Sequence, residues 1–338
     1  MKKKLLTAIS AVLLTTTLLC SCSQASQKLQ FSPNWAQNAL GNTGFIEGEE
    51  TLEYQVSFEA SEFFNKEYFT VAYCVEENAN YTTSLKASTE PDCYEYTTNL
   101  SIGVQYTLAN GEKSEVFEDS VSTTTIFKST ALALQPVRSE KTVKSHTPLN
   151  TTATTLQDAY TNFDYTVSIA YAEDGTSGEI TYTDRQGTLF GAKELPAEKK
   201  ESFDINTEKY TYLDNEQLLL AIRGLSSTVL ATERTISTYD VATKAQQNVK
   251  IKPDSATSDK FSFAINGEQL PVDTVIEYIP VSLQFIAINE GSPIQAWYAK
   301  TTDPANNTYR NVMLKMQTTV SYNIGVLTYT LKSANFAK

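Results

Sequence analysis

From Glu49 onward, apolar and polar residues alternate in short runs broken by turn-forming residues. Segments such as TLEYQVSFEA (51–60), EYFTVAYCV (67–75), EYTTNLSIGVQYTLANGE (95–112) and YTVSIAYAEDGTSGEITYTD (165–184) are rich in Tyr, Thr, Val, Ile and Phe. These residues suit a pleated, half-buried surface, and the runs read as β-strands. Between 275 and 289, Val281, Leu283 and Phe285 alternate with Ser282 and Gln284; further on, Leu314 and Met316 alternate with Lys315 and Gln317. A period of two puts one face of each strand against a core and the other in water. Asn110-Gly111, Asp174-Gly175 and Asn266-Gly267 are dipeptides that tolerate positive φ at both central positions of a type I′ hairpin turn. Three such turns predict meanders of neighbouring antiparallel strands, and GVLTYTLKSA (325–334) follows its predecessor at hairpin distance.

One segment departs from this period. In YLDNEQLLLAIRGLSS (212–227), Asp214 is placed to cap a helix, Gln217 stands three residues on as in a capping box, and Gly224 is placed to end it. Leu218, Leu219, Ile222 and Leu225 share one side at helical spacing, so the predicted helix near 214–224 packs against a sheet. The expected fold is therefore mainly β: an antiparallel, strongly curved sheet or half-barrel with one or two packed helices, with two successive β-sandwich domains as the alternative.

The N-terminus follows a different pattern. Lys2, Lys3 and Lys4 precede a mostly apolar run from Leu5 to Leu19, which is short of the roughly 20 apolar residues of a membrane span and reads as an export signal. It ends in Leu19-Cys20-Ser21-Cys22, which resembles the lipobox of bacterial lipoproteins: an aliphatic residue at minus three, a small one at minus one, then cysteine. Cys22 fits the modified position, because choosing Cys20 would put Leu19 where a small side chain is preferred. The resemblance implies cleavage after residue 21, a diacylglycerol thioether and an acyl chain such as palmitate on Cys22, and a place at the extracytoplasmic face of the cell membrane. Two buried chains suffice for such an anchor, at about 0.8 kcal/mol per methylene.

The expected organisation is a signal peptide at 1–21, a flexible tether at 22–47, an N-terminal β-rich part at 48–150 and a C-terminal β-rich part at 151–338, continuous with it. The tether reading rests on SQASQKLQFSPNWAQNALGNTG (23–44), which is polar and without sustained period; Trp35 is its odd member. The seam between the two parts falls in the Thr- and Pro-containing stretch at 145–155. With Cys20 removed and Cys22 acylated, Cys74 and Cys93 remain. An exported chain makes them a candidate structural disulfide, against the alternative of two thiols on neighbouring strands.

The order of the 214–225 segment with Arg223, followed by RTISTYDV, NVKIK, IQAWYAKT, NVMLKMQTTV and GVLTYTLKS, resembles an uncharacterised family of exported bacterial proteins. That family is grouped with the lipoprotein-carrier (Lol-type) superfamily. The resemblance spans about residues 205–332 and implies a curved half-barrel whose helices close over an often apolar concave side; it carries over no ligand-binding residue. The N-terminal half is similar in texture to uncharacterised lipoproteins of Gram-positive bacteria.

The chain has 39 acidic and 27 basic residues, a formal charge of −12. Removal of residues 1–21 takes away three lysines and no acid, giving −15. Such a surface repels phosphate backbones, which argues against nucleic acid as a partner. The local exception, Arg138, Lys141, Lys144 and His146, reads as a solvated strand edge ahead of an anion patch. His146 is the chain's one histidine, without a GxSxG or HExxH companion, and no phosphate loop is present. Glu173 and Asp174 read as a hairpin turn ahead of a calcium site. The sequence therefore predicts no catalytic residues, no metal and no cofactor. Its first functional reading is a non-enzymatic envelope lipoprotein that binds an unknown, apolar ligand or a partner, with the helix near Leu218–Leu225 over the site. The alternative is a carbohydrate-binding or glycan-active surface protein that uses aromatics such as Trp297 and Tyr298.

Overall fold

The computed structural model describes residues 28, 29, 31, 48–61, 71–75, 77–129, 134–225, 232–241, 243–286, 293–300 and 309–336. Cys22 and Trp35 lie outside the described residues, as does most of the 22–47 segment. In the first half the strands are β1 (Glu49–Ala60), β2 (Val71–Val75), β3 (Asn80–Ala87), β4 (Cys93–Leu108), β5 (Phe117–Ser129) and β6 (Leu134–Pro148). They continue as β7 (Tyr160–Tyr171), β8 (Ser177–Asp184), β9 (Ala197–Asp204), β10 (Arg234–Asp240), β11 (Ala245–Pro253) and β12 (Thr257–Lys260). The last are β13 (Ala264–Ile265), β14 (Glu268–Gln269), β15 (Val275–Phe285), β16 (Ile294–Ala299), β17 (Met313–Thr319) and β18 (Gly325–Phe336). Two short helices, α1 (Leu156–Ala159) and α2 (Leu218–Ile222), complete the described elements, together with 3₁₀ turns at Asn215–Gln217 and Ser321–Asn323.

Antiparallel ladders join the strands in one series: β9, β8, β7, β6, β5, β4, β3, β1, β18, β17, β16, β15, β11, β10. β2 extends the β3 row along β4, and β12 extends the β11 row along β15. The first and last strands thus meet in the centre, where β1 pairs with β18 over its full length from Glu50↔Phe336 to Ala60↔Gly325. Alternation sets the faces: Leu52, Tyr54 and Val56 of β1 and Leu327, Tyr329 and Leu331 of β18 are buried, while Glu53 and Glu59 point out. Register shifts at Glu53/Tyr54, Ile126/Phe127 and Trp297/Tyr298 add local bend. The ladder also passes through the expected seam, since β6 pairs with β7 down to Pro148↔Tyr160.

The sheet is open but strongly curled, because its two terminal strands touch through side chains. Phe203 of β9 stacks on Tyr239 of β10 with ring centroids 4.1 Å apart, and Lys244 donates to Glu201 at 3.0 Å. Gln246 and Asn206 exchange two hydrogen bonds at 2.8 Å. Among the described residues no backbone ladder joins β9 to β10. Gly178 on β8 makes this seam possible, since a Cβ there would lie 2.5 Å from the Phe203 ring. Val167, Ile169, Ile180, Tyr182, Ile205, Tyr212 and Tyr239 form a small core under the seam, separate from the main core.

Two of the three predicted turns follow a different chemistry from the expected one. Only Asn266-Gly267 takes positive φ at both residues, 50° and 84°, in the two-residue loop between β13 and β14. At Asn110-Gly111 and Asp174-Gly175 the glycine alone is left-handed. There the Asn110 and Asp174 side chains accept the backbone N–H two residues on, from Glu112 and Thr176, both at 2.9 Å.

Two further expectations are corrected. The Cys74–Cys93 bridge is not formed. Cys74 sits opposite Gln105 of β4, twelve residues along that strand from Cys93, about 40 Å at roughly 3.3 Å per residue. A disulfide spans Cα atoms less than about 7 Å apart. The tether expected over 22–47 is interrupted at Leu29 and Phe31, which are 8% and 0% exposed in the main core.

Candidate functional site

The polar side chains of the 214–225 segment bond mainly to β6, with Asp214 reaching β7 as well and Arg223 reaching β1. Asp214 is buried and caps the 3₁₀ turn, accepting from Glu216 N at 2.8 Å. Its other oxygen accepts from Ser139 of β6 at 2.6 Å and from the Tyr171 hydroxyl of β7 at 2.5 Å. Burial, reinforced by the Glu216 carboxylate, raises the Asp214 carboxyl above its ordinary value of 3.8. Glu216 pairs with Lys141 at 3.1 Å, and Gln217 donates to the Leu134 carbonyl at 3.0 Å rather than completing a capping box. The α-helix itself is short, Leu218–Ile222, because the preceding turn is 3₁₀. Leu218, Leu220, Ala221, Ile222 and Leu225 are buried in the core, and the Tyr298 hydroxyl of β16 donates to Leu219 O at 3.0 Å.

Arg223 closes the segment. Its guanidinium donates to both oxygens of Glu50 on β1, at 2.5 and 2.9 Å, and to Arg310 O at 3.0 Å. Both side chains are almost completely buried, 3% and 4% exposed. Burial alone would weaken the charge on Arg223, but Glu50 outweighs it and the guanidinium stays above its ordinary value. Nearby burial pushes the Tyr96 phenol up to about 12. The segment therefore ties β6 and β7 on one side of the sheet to β16 and β1 on the other.

Beside the N-terminal end of this segment lies a surface cleft of about 410 Å³. Leu29, Leu134, Pro136, Tyr171, Ile205, Tyr210 and Tyr212 give it an apolar and aromatic wall, while Lys28, Gln135, Asp174, Thr207 and Thr211 supply polar groups. Its volume falls in the range of about 300–1,000 Å³ common for small-molecule sites. The Tyr171 hydroxyl lies 3.3 Å from that of Tyr212 and is itself held by Asp214, so the cleft and the helical segment share one hydrogen-bond network. The N-terminal residues form part of the wall: Leu29 N donates to Thr211 Oγ1 at 2.8 Å, and Thr211 donates back to Leu29 O at 3.2 Å. A second cleft of about 360 Å³ shares Gln135, Pro136 and Tyr171 with the first and reaches Cys93, Lys128 and Glu173. Leu29 in the cleft wall and Phe31 in the core went unread in the sequence; their one signal is the apolar alternation in Lys28-Leu29-Gln30-Phe31.

The residues of the local basic stretch do not converge. Arg138 pairs with Glu90 at 2.9 Å, Lys141 with Glu216, and His146 Nδ1 with Asp119 at 2.7 Å. His146 lies flat on Phe117, centroids 3.8 Å apart, and its backbone N–H also donates to Asp119. Burial raises the Asp119 carboxyl, with the His146 bonds opposing the rise. Glu173 and Asp174 form the β7–β8 turn. Trp297 and Tyr298 point to opposite faces: Tyr298 is buried under α2, and the Trp297 ring is covered by Lys315 Nζ at 5.0 Å, so the pair forms no common platform. Among the described residues no three His, Cys, Asp or Glu side chains gather as metal ligands, and no helix is long and apolar enough to cross a membrane.

No family model matches the sequence, and comparison with curated proteins finds no match. Among solved structures, the chain is similar to a beta-barrel-like protein of domain of unknown function DUF1849 from Brucella abortus. The TM-score is 0.47 and the identity 8%, over 86% of this chain and 98% of that one.

Proposed function

We propose that the protein is a membrane-anchored, extracytoplasmic lipoprotein, acylated at Cys22, that binds an envelope ligand without catalysing a reaction on it. The observation that carries the reading is the cleft beside Tyr171 and Tyr212. Its wall is mainly apolar and aromatic, and the Tyr171 hydroxyl is already engaged by Asp214, so shape and apolar contact carry most of the selection, beside polar groups such as Gln135 and Thr207. Its place is beside the helical segment rather than under Leu218–Leu225, whose apolar side chains are spent on the core. The lipobox-like Leu19-Cys20-Ser21-Cys22 supports the anchor. A small, predominantly apolar molecule with one or two hydrogen-bonding groups suits the wall.

The test is native mass spectrometry of protein purified without detergent extraction of its contents, followed by analysis of an organic extract. A molecule bound at one per chain, lost in a Thr207→Trp variant that fills the cleft from its exposed side and keeps the parent's far-UV circular dichroism, is the expected result. An empty wild-type protein that takes up no apolar molecule from an envelope extract would remove the binding role.

A further inference from the structure

Cys22 and Lys28 are six positions apart, a span that even fully extended chain covers in at most about 22 Å. Lys28 lines the mouth of the 410 Å³ cleft. The next residue is no longer spacer, since Leu29 is held at both its backbone N–H and its carbonyl by Thr211 and is 8% exposed. Phe31, two residues on, is fully buried. A chain locked into the core so soon after its anchor cannot let the body drift away, and it fixes which side is leashed.

We infer that the face around the cleft mouth, with Lys28, Thr207, Lys209 and Tyr210, is the surface the protein turns to the headgroup layer of its own membrane. This inference rests on acylation of Cys22 and names what the mouth of the proposed binding site faces: the bilayer surface. Thr207 and Lys209 are exposed, and the Lys209 ammonium lies over the Tyr210 ring at 5.0 Å, so the face carries an amphipathic aromatic and two cations. Glu208 precedes Lys209 in the chain, Asp174 lines the cleft and Glu173 adjoins it, so the face is close to neutral although the whole chain is strongly acidic. A nearly neutral patch suits close approach to a headgroup layer better than a strongly acidic surface.

The test uses the acylated full chain in phosphatidylcholine vesicles containing a nitroxide-headgroup lipid. A fluorophore is placed at Thr207→Cys in a Cys74→Ser background, Cys93 being buried. The comparison protein carries 40 Gly/Ser residues inserted between Ser26 and Gln27, a coil of about 35 Å root-mean-square length that leaves every described residue in place. Strong quenching in the native-length protein, falling at least threefold in the long-spacer protein, is the expected result. Equal quenching in the two, or none in the native-length protein whose Cys22 is shown by intact mass to be acylated, overturns the orientation while leaving the anchor standing. An unmodified Cys22 takes down the anchor and the orientation together.

Discussion

Replacing Arg223 by Met keeps most of the side-chain stem but strands the Glu50 carboxylate, which is 4% exposed. It also leaves Arg310 O without the donor at 3.0 Å. Removing one member of a buried, bidentate pair costs about 3–5 kcal/mol, because the remaining charge keeps its desolvation penalty and loses its compensation. Glu50→Gln should cost a similar amount from the other side. The double replacement Glu50→Leu with Arg223→Met removes both charges and should return to within about 1 kcal/mol of the parent. The assay is urea unfolding followed by far-UV circular dichroism. With a slope of about 3 kcal/mol/M, each single change lowers the midpoint by about 1–1.7 M, and the double change restores most of it. Single variants within 1 kcal/mol of the parent, or a double variant as unstable as the two singles added, would refute the claim that this pair is a desolvated clamp between α2 and β1.

Phe31→Ala should destabilise the protein by about 3–5 kcal/mol, the cost of emptying a core site, whereas a residue of a free tether would cost almost nothing; a thermal melt distinguishes them. Cys74 and Cys93 should both be found as thiols by non-reducing mass spectrometry, with exposed Cys74 alkylated in the folded protein and buried Cys93 only on unfolding. For Asp214 the folded value lies above 3.8, so the folded state binds the proton more tightly than the unfolded chain. Its contribution is therefore fully present below 3.8, and stability is lost as pH rises towards the raised folded value. Asp214→Asn lacks this loss, so its stability relative to the parent should improve as pH climbs through that interval; urea midpoints measured between pH 3.5 and 7 check it. A difference that moves the other way would mean that the carboxyl is not held by burial.

The sequence determined the period-two strands, the helical turn within 214–225 and the Asp214 cap, because each is written in neighbouring residues within one turn or one strand; the other short helix, Leu156–Ala159, carried no such signal. It could not determine which strands meet. Cys74 and Cys93 are nineteen positions apart and share a segment, yet register on β4 separates them by a long stretch of strand, since pairing depends on partners elsewhere in the chain. Trp297 and Tyr298 are adjacent, and the pleat sends them to opposite faces. Leu29 and Phe31 sit in a polar stretch whose burial depends on a surface supplied by residues nearly two hundred positions away. The ion pair between Glu50 and Arg223 and the cleft between Lys28 and Tyr212 are likewise products of the curled sheet. Tertiary structure alone decided them, because only closure of the chain's ends onto its middle brings those side chains out of water and into contact.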